Sequence, residues 1–220
     1  MPAFASVIFD CDSTLSSIEG IEELSRAYRD EIVHMTEAAM RGEIPLESVY
    51  GRRLELVRPT RDAVDALGTR YVESLVPGAR ETVAGLLAAG VDVRILSGGL
   101  RPPVLAVARA LGIEDGSVDA VDIFFDARGE YAGFDDASPL TRSAGKADVI
   151  RGWGSTLPRP AMLVGDGATD LAAAREVELF VAFAGVIDRP TVTAAADFVV
   201  RERSLAPILP LALEIPSGHV

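Results

Sequence analysis

Cysteine is nearly absent from this chain: Cys11 is the single one in 220 residues. An internal disulfide framework is thereby excluded, and a reducing compartment is the natural setting. Histidine is scarce as well, and neither His34 nor His219 lies in a motif. No Gly-x-Ser-x-Gly elbow occurs, which argues against a serine-hydrolase triad. Positive charge is in short supply: 21 Lys and Arg face 33 Asp and Glu, for a net charge of −12. That balance argues against nucleic acid or an anionic membrane as a partner. No uncharged run is long enough to span a bilayer, and Met1-Pro2-Ala3-Phe4 lacks a basic leader region. A cytosolic protein, monomer or homodimer, is expected. Internal repeats and low-complexity tracts are absent too, and 220 residues suffice for a real core.

What the chain does have is carboxylates at the ends of apolar runs. Val7-Ile8-Phe9 reads as a buried parallel strand and delivers Asp10 and Asp12 where it stops. Open α/β sheets bind ligands just outside the carboxyl ends of their strands. Two acids held there without an adjacent Lys or Arg repel, so a cation or a proton must compensate. A hard divalent ion such as Mg²⁺ suits oxygen ligands of this kind. By itself an Asp-x-Asp pair also fits a solvated turn or the metal-nucleotide site of a sugar transferase. A second run, Pro160-Ala161-Met162-Leu163-Val164, ends in Gly165-Asp166-Gly167-Ala168-Thr169-Asp170 and then a helical pattern. Together the two acidic ends look like halves of one metal site.

A third strand, Val91 to Leu96, runs into Ser97-Gly98-Gly99 ahead of a helix that starts near Pro102. Small residues there let backbone N–H groups and the Ser97 hydroxyl approach an oxyanion at a helix N-terminus. An ordinary glycine turn explains that motif equally well when it stands alone. Lys146, where another helical pattern begins, is by default a solvated lysine; beside an acid and a phosphoryl group it becomes a point charge.

Taken in order, Asp10-x-Asp12-Ser13-Thr14, Ser97-Gly98-Gly99, Lys146 and Gly165-Asp166-Gly167-x-x-Asp170 resemble the haloacid dehalogenase superfamily, and within it the phosphoserine phosphatases. The likeness covers roughly residues 4 to 185 and includes Tyr131-Ala132-Gly133-Phe134-Asp135. It implies a Rossmann-like α/β parallel sheet flanked by helices, with an inserted helical cap at 16–76 and the catalytic core in 1–15 and 77–220. It also implies hydrolysis of O-phospho-L-serine through an aspartyl-phosphate, in serine synthesis. Asp10 would be the nucleophile and Asp12 the general acid and base. Mg²⁺ would sit on Asp10, the Asp12 backbone carbonyl and Asp166. Ser97, Gly98 and Lys146 would hold the phosphate and Thr169 would bind the substrate, with Asp170 supporting the metal or Lys146. Glu19 and Arg53 would grip the ammonium and carboxylate of the substrate. Cys11 stands where Phe, Val or Met is commoner, and Thr169 where many bacterial members have Asn. Another small phosphomonoester remains a rival substrate. Transfer to an alcohol such as homoserine is a rival reaction, and a non-catalytic binder on the same fold is a third possibility.

Periodicity supplies the layout. A strand over 3–9 gives way to helical spacing at Ile18, Ile21, Leu24 and Ala27-Tyr28, then to helices near 31–41, 46–57 and 61–74. Pro45, Pro59 and Pro77 punctuate them. From residue 77 strands (91–96, 119–125, 160–164, 179–183) alternate with helices, as in a parallel sheet. Phe124 to Tyr131 reads as a hairpin turning at Arg128-Gly129. Glu22, Glu23 and Glu37 read as a solvated helix face, and Cys11 and Trp153 as packing residues.

Overall fold

A computed structural model describes residues 2–25 and 29–214. Its strands are β1 (Ser6–Phe9), β2 (Asp92–Leu100), β3 (Val118–Val121), β4 (Ile123–Phe125), β5 (Tyr131–Phe134), β6 (Ala161–Gly165), β7 (Leu179–Phe183) and β8 (Phe198–Val200). Six of them form one sheet in the order β3-β2-β1-β6-β7-β8, and every paired neighbour is parallel. β1 is therefore central, with Ser6 opposite Asp92 on one side and Ala161 on the other. Every residue of β1 is buried, as a strand covered on both faces must be.

Alternation of side chains divides the interior in two. Val7 and Phe9 join a cluster with Val83, Leu86, Val104 and Val107, from α5 (Ala79–Ala88) and α6 (Arg101–Leu111). Ile8 points the other way, into a cluster with Ala147, Ile150 and Ala173, from α7 (Gly145–Trp153) and α8 (Ala168–Ala173). Successive residues of a strand face opposite sides, so one short run feeds both layers.

Between β1 and α5 lie α1 (Gly20–Leu24), α2 (Arg29–Met40), α3 (Tyr50–Val57) and α4 (Arg61–Glu73). Thr60 caps α4 by accepting from the Ala63 N–H at 3.3 Å. The segments that lead into and out of this stretch run side by side: Ser17 N donates to Ser74 O at 2.8 Å, and Val76 N to Leu15 O at 2.9 Å. Beyond β7 come α9 (Pro190–Thr193) and α10 (Ile208–Leu213).

Several boundaries differ from the periodicity. β2 continues through Ser97-Gly98-Gly99 to Leu100, so that motif is extended chain rather than a loop. A register shift between Leu96 and Leu100 absorbs it while Leu100 still pairs with Val121. The apolar run 119–125 is two strands, because the chain leaves the main sheet at Asp122 and enters the β4–β5 hairpin. That hairpin does turn at Arg128-Gly129, where Gly129 has φ +82° and the Asp126 carboxylate accepts from Arg128 N and Glu130 N. The helix expected over 46–57 begins at Tyr50 after a single turn at Leu46–Ser48. α1 ends at Leu24, while Ala27, Tyr28 and His219 lie outside the described residues. Among the described residues no helix is long and apolar enough to cross a membrane.

Candidate active site

The three acid- and glycine-bearing strand ends meet because β1, β2 and β6 are adjacent and parallel. Asp10 follows β1 directly, and its Oδ1 accepts from the Cys11 N–H at 2.7 Å and from Lys146 Nζ at 2.8 Å. Among the described residues its other oxygen carries no such bond. Lys146, in the first turn of α7, also reaches Asp170 Oδ1 at 2.6 Å. Gly145 lets α7 come that close: a Cβ there would lie 1.8 Å from the Pro139 carbonyl oxygen. Asp170 is fully buried, and its second oxygen accepts from Gly167 N at 3.1 Å. Burial and then Asp10 push the Asp170 carboxyl up to about 7, against the pull of Lys146. Burial works against the Lys146 cation, but Asp10 and Asp170 outweigh it and hold the ammonium charged.

Asp12 turns its carboxylate away from this cluster. The backbone is extended at Asp12 and left-handed at Ser13, φ +52°, an uncommon conformation for a residue with a side chain. The Tyr71 hydroxyl donates to Asp12 Oδ1. Burial and then Glu19 push the Asp12 carboxyl well above its ordinary range, so a protonated form is accessible. Oxygens of Asp10, Asp166 and Asp170 lie within 4.8 Å of one another, all three residues being buried. An all-oxygen donor set crowded with negative charge fits a hard divalent cation. Asp170, with one oxygen on Lys146 and the other on the Gly167 N–H, fits the task of orienting Lys146.

All nine other residues singled out from the sequence, Asp10, Asp12, Glu19, Arg53, Ser97, Gly98, Lys146, Asp166 and Thr169, line one pocket. Ser97 is buried, and its Oγ accepts from Gly99 N at 3.0 Å. Glu19 Oε1 accepts from the Ser13 hydroxyl at 2.6 Å, and burial raises its carboxyl above the ordinary value. Arg53 enters from α3, only 5% exposed, with Nη1 donating to Thr36 Oγ1 at 2.9 Å. Its Nε is buried without a hydrogen-bond partner, a guanidinium edge still free for an anion.

Three residues of the site escaped the sequence reading. Arg189, in the loop after β7 and 2% exposed, ion-pairs with Asp166 and places Nη2 at 3.2 Å from Glu37 and 3.8 Å from Glu19. Glu37 is thus no member of a solvated face, and the reason is this buried cation beside it. Glu23 likewise is tied to Arg70 at 2.6 Å. Arg189 stands just past a strand's carboxyl end, the one signal that could have marked it. Tyr50 OH donates to Gly98 O at 2.8 Å, and Tyr71 bonds Asp12. Both sit among apolar helix positions and read as ordinary core.

A family model described as haloacid dehalogenase-like hydrolase matches residues 4–178. The chain is 36% identical to the phosphoserine phosphatase of Bos taurus over 200 residues, covering 90% of this chain and 89% of the relative. It is 37% identical to the Homo sapiens phosphoserine phosphatase over 190 residues, 85% of this chain and 84% of the relative. Among solved structures it resembles a phospho-aspartyl intermediate analogue of phosphoserine phosphatase (TM-score 0.81, 25% identity, 94% of this chain and 98% of that one). It also resembles a phosphoserine phosphohydrolase-like protein from Francisella tularensis (TM-score 0.83, 26% identity, 90% and 95%).

Proposed function

The chain belongs to the phosphoserine phosphatases of the haloacid dehalogenase-like hydrolases, and on that premise we propose how its residues divide the work of releasing phosphate from O-phospho-L-serine. One observation carries the reading: Asp10, at the end of the central strand, has Oδ1 held by Lys146 and the Cys11 N–H while Oδ2 is free. Asp10 Oδ2 attacks phosphorus and the ester P–O bond breaks. Asp12, whose carboxyl burial keeps protonatable, gives its proton to the departing serine oxygen. Asp12 then takes a proton from the water that attacks phosphorus, and the bond to Asp10 breaks to release phosphate. Ser97, the Gly98 backbone, Thr169 and Lys146 hold the phosphoryl oxygens. Asp10, the Asp12 carbonyl and Asp166 would hold Mg²⁺, which when bound neutralises phosphoryl charge and keeps Asp10 ionised.

Arg53 grips the substrate carboxylate and Glu19 its ammonium. The stretch 16–76 acts as the cap over a core made of 1–15 and 77–220, a division supported by the side-by-side linkers at Ser17–Ser74 and Leu15–Val76. A cytosolic setting belongs to the same proposal.

Phosphate release from L-phosphoserine and a panel of small phosphomonoesters, with Mg²⁺ and with chelator, tests it. Preference for phosphoserine, lost in chelator and in a folded Asp10→Asn variant, is expected. Turnover by Asp10→Asn would remove the aspartyl-phosphate; activity on every ester except phosphoserine would remove the roles of Glu19 and Arg53. Phosphate appearing on an added alcohol instead of in solution would make the protein a transferase.

A further inference from the structure

The proposed chemistry asks two opposite things of the Asp12 carboxyl, to give a proton and then to take one, from a fixed place. Glu19 and Asp10 act on it as like charges and Lys146 as an opposite one, none of them as a hydrogen-bond partner. The donor it has is the hydroxyl of Tyr71, from α4, bonded to Oδ1. Oδ2 is left on the side of the extended Ser97-Gly98-Gly99 segment: a Cβ on Gly99 would lie 3.4 Å from it. One oxygen is clamped and the other faces the phosphate-holding segment, where the departing oxygen must be.

The clamp is built in from several directions. Tyr71 is 1% exposed and packs in the cluster that holds Leu15, Leu67 and Phe9. Its backbone carbonyl accepts from Ser16 Oγ at 3.2 Å, which ties α4 to the segment just after the acid pair. Gly20 keeps the hydroxyl's place open, because a Cβ there would stand 2.1 Å from it. Packing alone would be served by phenylalanine; a buried tyrosine hydroxyl usually finds a hydrogen-bond partner, and here that partner is Asp12.

We propose that Tyr71 is a positioning residue that holds the Asp12 carboxyl in line with the departing oxygen. The inference rests on the assignment of Asp12 as acid and base. Tyr71→Phe removes the donor and keeps the ring, while Gly20→Ala keeps the donor and crowds it off Asp12. The measurement is the rate of aspartyl-phosphate formation at saturating substrate, together with KM, for phosphoserine and for p-nitrophenyl phosphate. Phosphoserine expels an alkoxide that needs a proton, whereas nitrophenolate leaves without one. Both variants, checked as folded by thermal melting, should lose about ten- to a hundredfold in that rate with phosphoserine, a part of the roughly hundred- to ten-thousandfold that general acid catalysis supplies. KM for phosphoserine, and both parameters for the aryl ester, should stay within about threefold. Equal losses on both esters, no loss in Tyr71→Phe, or an effect confined to KM would overturn the proposal. Asp12→Asn, run beside them, separates the two layers. Discrimination between the esters in Asp12→Asn but not in Tyr71→Phe sinks only the role of Tyr71. No discrimination in Asp12→Asn sinks the acid assignment and the proposal with it.

Discussion

Replacing Lys146 with methionine puts the electrostatics of the site to a quantitative test. The side chains of Lys146, Asp10 and Asp170 are 4%, 10% and 0% exposed, and the ammonium lies 2.8 and 2.6 Å from the two carboxylates. Methionine fills similar volume but leaves two buried anions facing each other. Removing one partner of a buried ion pair costs about 3–5 kcal/mol, and a loss of that size is expected at pH 7.5 in chelator. The cost should depend on pH, because Asp170, pushed up to about 7 by burial and then Asp10, can escape it by binding a proton. A carboxyl whose folded pKa lies above its unfolded value contributes fully below the unfolded value. That contribution is lost as pH rises through the folded value. Deleting the lysine raises Asp170 further, so at pH 5 the penalty should shrink to the roughly 1–3 kcal/mol of an unpaired polar group. Urea unfolding of the wild-type protein and Lys146→Met at both pH values reads the difference. The double variant Lys146→Met/Asp170→Asn should recover most of the loss at pH 7.5. A penalty equal at the two pH values, or a double variant whose losses simply add, would refute the view that Lys146 compensates buried charge.

Other substitutions test separate parts of the molecule. Arg53→Ala should raise KM for phosphoserine by at least about tenfold, the worth of one charge-assisted contact. It should change p-nitrophenyl phosphate hydrolysis little; an equal loss on both esters would mean that Arg53 does not read the carboxylate. Gly145→Ala should destabilise the fold by about 1–3 kcal/mol, the usual cost of overpacking, because its Cβ would meet the Pro139 carbonyl at 1.8 Å. Thermal melting unchanged from wild type would show that the single helical turn at Pro139–Thr141 gives way freely.

The parts of the fold that could be read from sequence are those where one local rule decides. Val7-Ile8-Phe9 and Met162-Leu163-Val164 are apolar on every position, and both proved to be strands buried on two faces. The acids and glycines that follow them therefore lie together at the carboxyl ends of adjacent parallel strands. Pairing is harder to foresee, because it depends on neighbours far along the chain. The SGG segment looked like a turn, yet β2 keeps it extended through a register shift against β3. Asp122 divides what read as a single apolar run, because the tertiary path leaves the sheet there. Tyr50, Tyr71 and Arg189 were illegible for a related reason. Each belongs to the site through long-range bonds, Tyr50 to Gly98, Tyr71 to Asp12 and Arg189 to Asp166, Glu37 and Glu19, and nothing adjacent in sequence marks them. β8, three residues long with Phe198 exposed, carries too little apolar pattern to be recognised.

The central position of β1 governs the order in which the molecule can be completed during synthesis. Ser6 pairs with Asp92 on one side and with Ala161 on the other, 86 and 155 residues later by subtraction. At roughly 5–20 residues per second on the ribosome, the strand waits about 8–30 s for its second neighbour to be made. Throughout that time a strand whose last three residues, Val7-Ile8-Phe9, are all apolar has at least one unpaired edge. Asp10, first of the acids to emerge, meets Asp166 only when three-quarters of the chain exists. The active site is thus among the last things to form, and a nascent chain that stalls before β6 presents a sticky strand and no catalyst.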